Sequence, residues 1–343
     1  KGTSEFGTLD WDQEKIYLDS VYNLYEEHRA EKDPEKKEAL YREIDRVSYE
    51  ASQFAIANEY DKMIASIGTQ GANAHTWFEE TVYHGKIPSN ELEKWSELEA
   101  DRFDELVLRL FHTELEAVYE EFNRSQDSDG EKLFDKTLKA LFPTHPYGQQ
   151  TTIGTSEHLK NPSLKDINEY FNAYYAPNNM AVVLVGDFEF ESTIELIDRT
   201  FGKLESKDVT HPELPVEQPL AGIIEQEVFG PTSESLYIAY RSEGVGSKDE
   251  KMLTLIDMIL SNSHAGLFDL NLNQKQMVQR AYSSVYFMND YGFQLLSGAP
   301  KGGQDLNEVK ALIFEQIEKI KAGNFEEWMI DAVINDLKLS KLR

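Results

Sequence analysis

The order of predicted elements repeats once along the chain, and this repeat limits the fold more than any other feature. Residues 74–103 run as strand, turn, strand and amphipathic helix, and residues 281–320 follow the same order. Identity between the two copies is weak, but the succession of elements matches. The repeat predicts an α+β protein with two homologous domains, each a largely antiparallel sheet covered by helices.

The stretch between the two copies sets the expected domain limits. Residues 203–222 carry three prolines, scattered charges and no periodicity, which is typical of a linker. We therefore expect a first domain at 1–205, a linker at 206–221 and a second, truncated domain at 222–343.

A helical insert is predicted near the N terminus, at about residues 11–66. Apolar residues recur there at helical spacing among many charges, and Asp33-Pro34 indicates the break between two helices. His28 lies in the charged part of this insert, so we predict a solvated side chain.

Three further segments have a definite prediction. Met180–Asp187 is a continuous apolar run, typical of a strand buried on both faces. Residues 145–148, His-Pro-Tyr-Gly, indicate a turn. In the second half, Tyr282 is predicted to be a packed strand residue, and His264 to begin a loop.

Composition excludes several classes of function. The chain has 34 basic and 62 acidic residues, a formal charge of -28, which disfavours binding to nucleic acid or anionic membranes. No stretch approaches the roughly eighteen apolar residues of a membrane span. The chain has no cysteine, so any metal ion must bind to His, Asp or Glu.

One predicted helix, residues 113–124, carries carboxylates whose positions suit the binding of a cation. Thr113 followed by Glu116 has the pattern of a capping box, which predicts the start of the helix. Glu114 and Glu121 then lie on one face, two turns apart, and such a pair suits a hard or borderline cation. The alternative is an ordinary amphipathic helix whose apolar stripe is Leu115, Val118 and Phe122.

Six segments stand in a recognisable order along the chain. They are Lys1-Gly2-Thr3, Gly71-Ala72-Asn73-Ala74-His75-Thr76, Leu98-Glu99-Ala100-Asp101-Arg102, Glu114-x6-Glu121, His145-Pro146-Tyr147-Gly148, and Pro177-Asn178-Asn179 continued by Gly186-Asp187-Phe188. In this order they resemble the pitrilysin and insulin-degrading-enzyme family of zinc peptidases. These inverzincins have the signature H-x-x-E-H and a distant Glu as third ligand. The resemblance covers most of residues 67–205, with 222–343 as a second domain.

The resemblance implies a role for four residues. Glu121 matches the third Zn²⁺ ligand, and Glu114 matches the acidic residue that supports the site. Asn73 and Ala74 match the edge strand to which the family adds the peptide substrate as a further strand; the alternative for them is a turn into an ordinary edge strand. The family cleaves unfolded peptides in a chamber, so a second half of the same polypeptide or a partner subunit is implied as well.

The sequence departs from the family pattern in two ways. The two zinc histidines and the glutamate base would precede Lys1, and none of the eight histidines lies in H-x-x-E-H or H-E-x-x-H. We therefore predict that this chain alone neither holds zinc tightly nor hydrolyses peptides. We also expect the Glu121 side chain to point inward, toward a metal position completed by upstream residues. The insert at 11–66 is the second departure.

Three functions are consistent with these residues. The first is a fragment of a zinc metalloendopeptidase that begins just after H-x-x-E-H. The second is a non-catalytic, chamber-forming partner subunit of the same fold, against which the intact Glu114 and Glu121 argue. The third is an acidic binding module. The compartment is not set by the sequence, although the resemblance and the absence of cysteine are compatible with export to a periplasm.

Overall fold

The computed structural model describes residues 2–342, which form two compact units. The N-terminal unit comprises Lys1–Arg124 with Thr152–Glu213, and the C-terminal unit comprises Ser125–Thr151 with Leu214–Arg343. The last boundary between the two units, at Glu213 and Leu214, thus lies inside the segment predicted to be a linker. The ranges 1–205 and 222–343 remain the predicted limits of the homologous domains.

The helices and strands follow one another as the repeat predicts. Before residue 205 the elements are α1 (Trp11–Ala30), α2 (Pro34–Ser52), α3 (Glu59–Ser66), β1 (Gln70–Thr76), β2 (Thr81–Lys86), α4 (Leu92–Asp104), α5 (Phe111–Gln126), α6 (Asp129–Leu141), α7 (Pro146–Gln149), α8 (Ser156–Lys160), α9 (Leu164–Tyr174) and α10 (Phe190–Thr200). After residue 235 they are β3 (Leu236–Glu243), α11 (Lys248–Leu260), β4 (Arg280–Phe287), β5 (Tyr291–Ala299), α12 (Leu306–Lys321) and α13 (Trp328–Ser340). The order strand, strand, helix recurs as β1, β2, α4 and as β4, β5, α12, and the predicted α+β class is confirmed. No helix within residues 2–342 has the length and apolar composition needed to cross a bilayer.

The insert is a hairpin of α1 and α2 whose turn lies where the sequence predicts it. The Asp33 side chain accepts hydrogen bonds from the backbone N–H groups of Glu35 and Lys36, and Pro34 occupies the first helical position. The two helices bury a common apolar cluster together with α9. Its buried members are Val21, Tyr25, Ile44, Val47 and Leu164.

The prediction of a solvated His28 is wrong. Only 6% of this residue is exposed, and its ring lies 5.9 Å from the Tyr41 ring of α2, centroid to centroid. The reason is helical geometry, because His28 stands three residues after Tyr25 and shares the face that α1 buries. Burial lowers the pKa of His28, and the nearby Lys37 ammonium lowers it further.

The prediction of a buried strand at Met180–Asp187 is also wrong. No strand includes these residues, and Val183 and Val185 are 80% and 94% exposed. The only sheet in the described part of the N-terminal unit is the antiparallel pair of β1 and β2. An apolar run becomes a strand only where a neighbouring strand accepts its backbone hydrogen bonds, and residues 2–342 provide none here.

The C-terminal unit is built on a three-stranded antiparallel sheet with β5 in the centre. One face packs against α11, α12 and α13 through a large cluster that includes Leu296 of β5. Phe293 stands an odd number of residues from Leu296, so it lies on the other face. There its ring contacts Phe134 of α6, which explains why residues 125–151 belong to this unit.

A half-buried carboxyl on α11, that of Asp257, gives a pH-dependent prediction. Burial raises the pKa of Asp257, and the hydrogen bond donated by Ser283 opposes this only in part. The native state therefore holds this proton more tightly than the unfolded chain, whose Asp pKa is about 3.9. Stability contributed by this proton is present below that value and is lost as the pH rises through the native pKa.

We therefore expect Asp257→Asn to be more stable than the parent at about pH 7 and equal to it at about pH 3. The amide still accepts the Ser283 hydrogen bond but carries no charge. Urea unfolding of both proteins at both pH values measures the difference. A variant that is less stable than the parent at neutral pH would contradict the assignment.

Candidate functional site

Helix α5 carries both candidate carboxylates, but it begins earlier than the capping box predicts. Its first residue is Phe111, two residues before Thr113, and Glu114 N–H already bonds the carbonyl of Leu110 at 3.1 Å. The predicted cap at Thr113 is therefore wrong. Packing explains the earlier start, because the Tyr25 hydroxyl lies 2.7 Å from His112 Nδ1 and holds the first turn against α1.

The two carboxylates differ in their surroundings. Glu114 is half-buried in the first turn, whereas Glu121 is exposed to solvent in the third. The Glu121 side chain is thus not buried by residues 2–342, contrary to the inward orientation that we expect. In this part of the chain, no three His, Asp or Glu side chains are grouped so that they could hold a metal ion. The ligand role of Glu121 and the supporting role of Glu114 remain predictions.

Residues 3–6 are bound by Arg109, which lies two residues before α5. The Arg109 guanidinium donates hydrogen bonds to the carbonyl oxygens of Thr3 at 3.1 Å and of Phe6 at 3.3 Å. It also binds both carboxylate oxygens of Glu14 at 2.7 and 2.8 Å, and both side chains are almost wholly buried. The resemblance places Thr3 just after H-x-x-E-H. Thr3 therefore lies beside Arg109, two residues before the helix that carries Glu114 and Glu121.

A second contact holds the same segment from α4. Thr3, which is 1% exposed, donates its hydroxyl to Asp101 at 3.1 Å. Burial raises the pKa of the Asp101 carboxyl, against the lowering effect of this hydrogen bond. Thr3 is thus anchored from two sides, by Asp101 through its side chain and by Arg109 through its backbone.

Sequence reasoning missed Arg109, although a signal for it was present. This residue interrupts the apolar run Leu106-Val107-Leu108-Arg109-Leu110-Phe111. An arginine within such a run is buried only if an acid pairs with it. The partner Glu14 is 95 residues away, so no local pattern could have identified it.

The predicted substrate strand is present and exposed. Asn73 and Ala74 lie on β1, opposite His84 and Tyr83 of β2. Within residues 2–342, β1 pairs with β2 and with no other strand. Its second edge is therefore able to accept the backbone of an extended peptide, and the binding roles of Asn73 and Ala74 remain predictions.

The other segments singled out in the sequence are structural parts of the C-terminal unit. Residues 145–148 are more than a turn, because His145 is buried and caps the short helix α7 through a 3.3 Å hydrogen bond from Tyr147 N–H. Tyr282 is half-buried on β4. Burial, and next to it the hydrogen bond with Tyr282, raises the pKa of Tyr237 to about 12. His264 is exposed in a loop, as predicted.

A comparison with protein-family models finds one match that covers slightly more than half of the chain. Residues 162–337 match the model described as the peptidase M16 inactive domain. Solved structures of similar proteins, described below, have the same α+β fold. The chain belongs to the peptidase M16 family, and the predicted resemblance to pitrilysin-type peptidases is confirmed.

Individual relatives agree with this family. The chain is 24% identical to a zinc protease named PqqE from Helicobacter pylori, over 86% of this chain and 68% of the relative. A crystal structure of a protease from Helicobacter pylori superposes with a TM-score of 0.72 at 24% identity, covering 83% of this chain and 71% of that one. Pitrilysin gives a TM-score of 0.62 at 19% identity and is covered over only 31% of its length. The chain thus spans about two thirds of the first relative and less than a third of pitrilysin.

Proposed function

We propose that this chain is part of a zinc-dependent metalloendopeptidase that hydrolyses peptides in a closed chamber, with the H-x-x-E-H segment supplied by residues outside 1–343. The observation that carries this proposal is the attachment of Thr3 and Phe6 to Arg109, next to the helix of Glu114 and Glu121. Residues directly upstream of Thr3 would then enter the structure near α5. The relatives named as zinc proteases support the same chemistry.

The residues of this chain do not by themselves fit a catalytic zinc site. Such a site needs three protein ligands, whereas residues 2–342 contain no group of three suitable side chains. We therefore propose that the chain alone is inactive. Within the intact protein, Glu121 would hold Zn²⁺, which activates water in hydrolases of this type, and Glu114 would orient the ligands by hydrogen bonding.

The binding of substrate would depend on β1. An extended peptide added to its open edge would exchange backbone hydrogen bonds with the strand around Asn73 and Ala74. A small side chain such as Ala74 leaves room for the side chains of the peptide. Closure of the chamber would come from the second half of the same polypeptide or from a partner subunit.

A second function is favoured by one specific observation. The family model that matches residues 162–337 is described as the inactive domain. The chain could accordingly belong to a non-catalytic partner subunit that shapes a chamber. The residues encoded upstream distinguish the two, because H-x-x-E-H there fits the enzyme and its absence fits the partner subunit.

The decisive experiment uses the chain together with its natural upstream residues. We expect chelator-sensitive cleavage of an unfolded peptide, and we expect Glu121→Gln to reduce it by at least about a hundredfold, because loss of a ligand should exceed the 10–100-fold effects of residues around the ligands. Glu120→Gln is the matched control, since Glu120 is the exposed neighbour on a different helix face. Cleavage that the chelator does not inhibit, or full activity of Glu121→Gln, would refute the proposal.

A further inference from the structure

The guanidinium of Arg102, on α4, lies among three aromatic rings. Its central carbon is 4.8 Å from the ring centre of Tyr60 on α3 and 4.6 Å from that of Tyr83 on β2. The ring of the neighbouring Phe103 is also 4.6 Å away. Because a guanidinium plane stacks favourably on aromatic faces, Arg102 joins α3, α4 and β2 at a single point.

Glu99, one turn earlier on α4, orients this arginine. Its carboxylate accepts hydrogen bonds from the Arg102 guanidinium and from the Tyr60 hydroxyl, and only 6% of the residue is exposed. A charge-assisted hydrogen bond to a buried carboxylate is among the stronger contacts in proteins. The Tyr83 ring therefore packs against a guanidinium that is held in place from α4.

Tyr83 is also attached to α9. Its hydroxyl lies 3.0 Å from the hydroxyl of Tyr175, which directly follows the last residue of α9, and its ring lies 5.2 Å from the Phe103 ring, edge to face. We refer to Arg102, Tyr83 and Tyr175 as the hairpin clasp. Since Tyr83 pairs with Ala74 in the ladder, the clasp acts on β1 through its direct partner.

The β1–β2 hairpin has little packing of its own. Every residue of β1 is exposed, and so is every residue of β2 except the half-buried Val82. A hairpin of two strands without a covered face is marginally stable in water. The order of β1 therefore depends on side-chain anchors such as Tyr83.

We propose that Arg102 is a positioning residue for the substrate: through the hairpin clasp it keeps β1 in the conformation that accepts an extended peptide at Asn73 and Ala74. This inference rests on the proposed function, in which the peptide adds to the open edge of β1. Loss of the clasp lowers the fraction of molecules whose strand is ready to bind. The apparent affinity for the peptide falls by the same fraction.

The first measurement is amide hydrogen exchange of residues 70–86 in the chain 1–343. Arg102→Met removes the cation, and Tyr83→Leu removes the ring while leaving the contact between Arg102 and Glu99 intact. We expect either change to raise the exchange rates of these amides by at least about fivefold, because a stacked contact that orders the hairpin is lost. Exchange in α1 and α2 should stay unchanged. Tyr83→Phe keeps the ring and should retain most of the protection.

The second measurement is peptide cleavage by the intact enzyme, which is this chain with its natural upstream residues. We expect Tyr83→Leu to raise KM for an unfolded peptide by at least about fivefold with kcat nearly unchanged, because an interaction that only orders the binding strand acts equally on the bound substrate and on the transition state. Tyr83→Phe should restore KM. Lys94→Met, which alters an exposed residue of α4, is the matched control and should change neither measurement.

Unchanged exchange of residues 70–86 in both Arg102→Met and Tyr83→Leu would overturn the proposal. So would faster exchange that extends equally to α1 and α2, or a loss of kcat at constant KM. An intact parent that shows no chelator-sensitive cleavage would instead refute the proposed function and with it the role in substrate binding. The exchange rates would still show whether the clasp holds the hairpin, so the two failures are distinguishable.

Discussion

Replacing Arg109 with alanine is expected to cost about 3–5 kcal/mol of unfolding free energy, the usual effect of removing one partner of a buried ion pair. The Glu14 side chain is 0% exposed and binds this guanidinium through both oxygens. Without Arg109 its charge stays buried and unpaired. The carbonyls of Thr3 and Phe6 lose a donor as well.

Urea unfolding, followed by tryptophan fluorescence to which Trp11 contributes, measures this loss. The Trp11 ring centre is 6.0 Å from the Arg109 guanidinium carbon, so it reports on the same region. Arg42→Ala is the matched control, because Arg42 pairs with Glu38 on the exposed surface of α2 and such pairs contribute only about 0.3–0.5 kcal/mol. Equal effects of the two substitutions would contradict the buried ion pair.

A double replacement separates the charge from the packing. Arg109→Met with Glu14→Leu removes both charges and keeps apolar volume, and buried pairs replaced in this way often retain their stability. We expect the double variant to recover most of the loss seen with Arg109→Ala. It should nevertheless loosen residues 3–6, whose carbonyls would still lack their donor, and amide hydrogen exchange would detect this.

Helix boundaries that depend on local chemistry could be predicted from the sequence. Asp33 and Pro34 indicate the start of α2, and the structure shows the expected hydrogen bonds from Glu35 and Lys36 N–H. The start of α5 depends instead on Tyr25, a residue of the insert. Because that contact is tertiary, the capping pattern at Thr113 was misleading.

Whether an apolar run forms a strand likewise depends on distant residues. The run at 180–187 is more continuously apolar than strand β5, yet only β5 has a strand on each side. Burial of β5 follows from those neighbours and from the helices that cover it. Strand formation therefore requires a partner, and the local pattern does not say whether a partner is present.

In the candidate site, too, some relations follow from local spacing and others depend on distant residues. The seven-residue spacing of Glu114 and Glu121 fixes a shared helix face, so that relation could be predicted. Burial could not, because it depends on which elements pack beside α5. The contacts that position the chain start, from Arg109 and Asp101 to Thr3, join residues about a hundred positions apart and have no counterpart in any short motif.

Replacing Phe293 with alanine is expected to destabilise the C-terminal unit by about 3–5 kcal/mol, the usual range for a large aromatic residue in a core. Phe293 is 0% exposed on the central strand β5. Its ring centroid lies 4.6 Å from that of Tyr286, 6.1 Å from that of Phe134 and 6.2 Å from that of Phe142. The cavity would open between the sheet and α6, and urea unfolding followed by circular dichroism measures the loss.

A double-mutant cycle tests whether α6 is a part of this unit. Phe134→Ala removes the ring that α6 contributes, and aromatic pairs in contact couple by about 0.5–1.5 kcal/mol beyond their buried area. We expect the two changes together to cost less than the sum of the single costs by this amount. Tyr240→Ala, on the exposed edge strand β3, is the control and should not couple with Phe134→Ala. Strict additivity of Phe134→Ala and Phe293→Ala would contradict the ring contact between α6 and the sheet, because residues in contact normally couple.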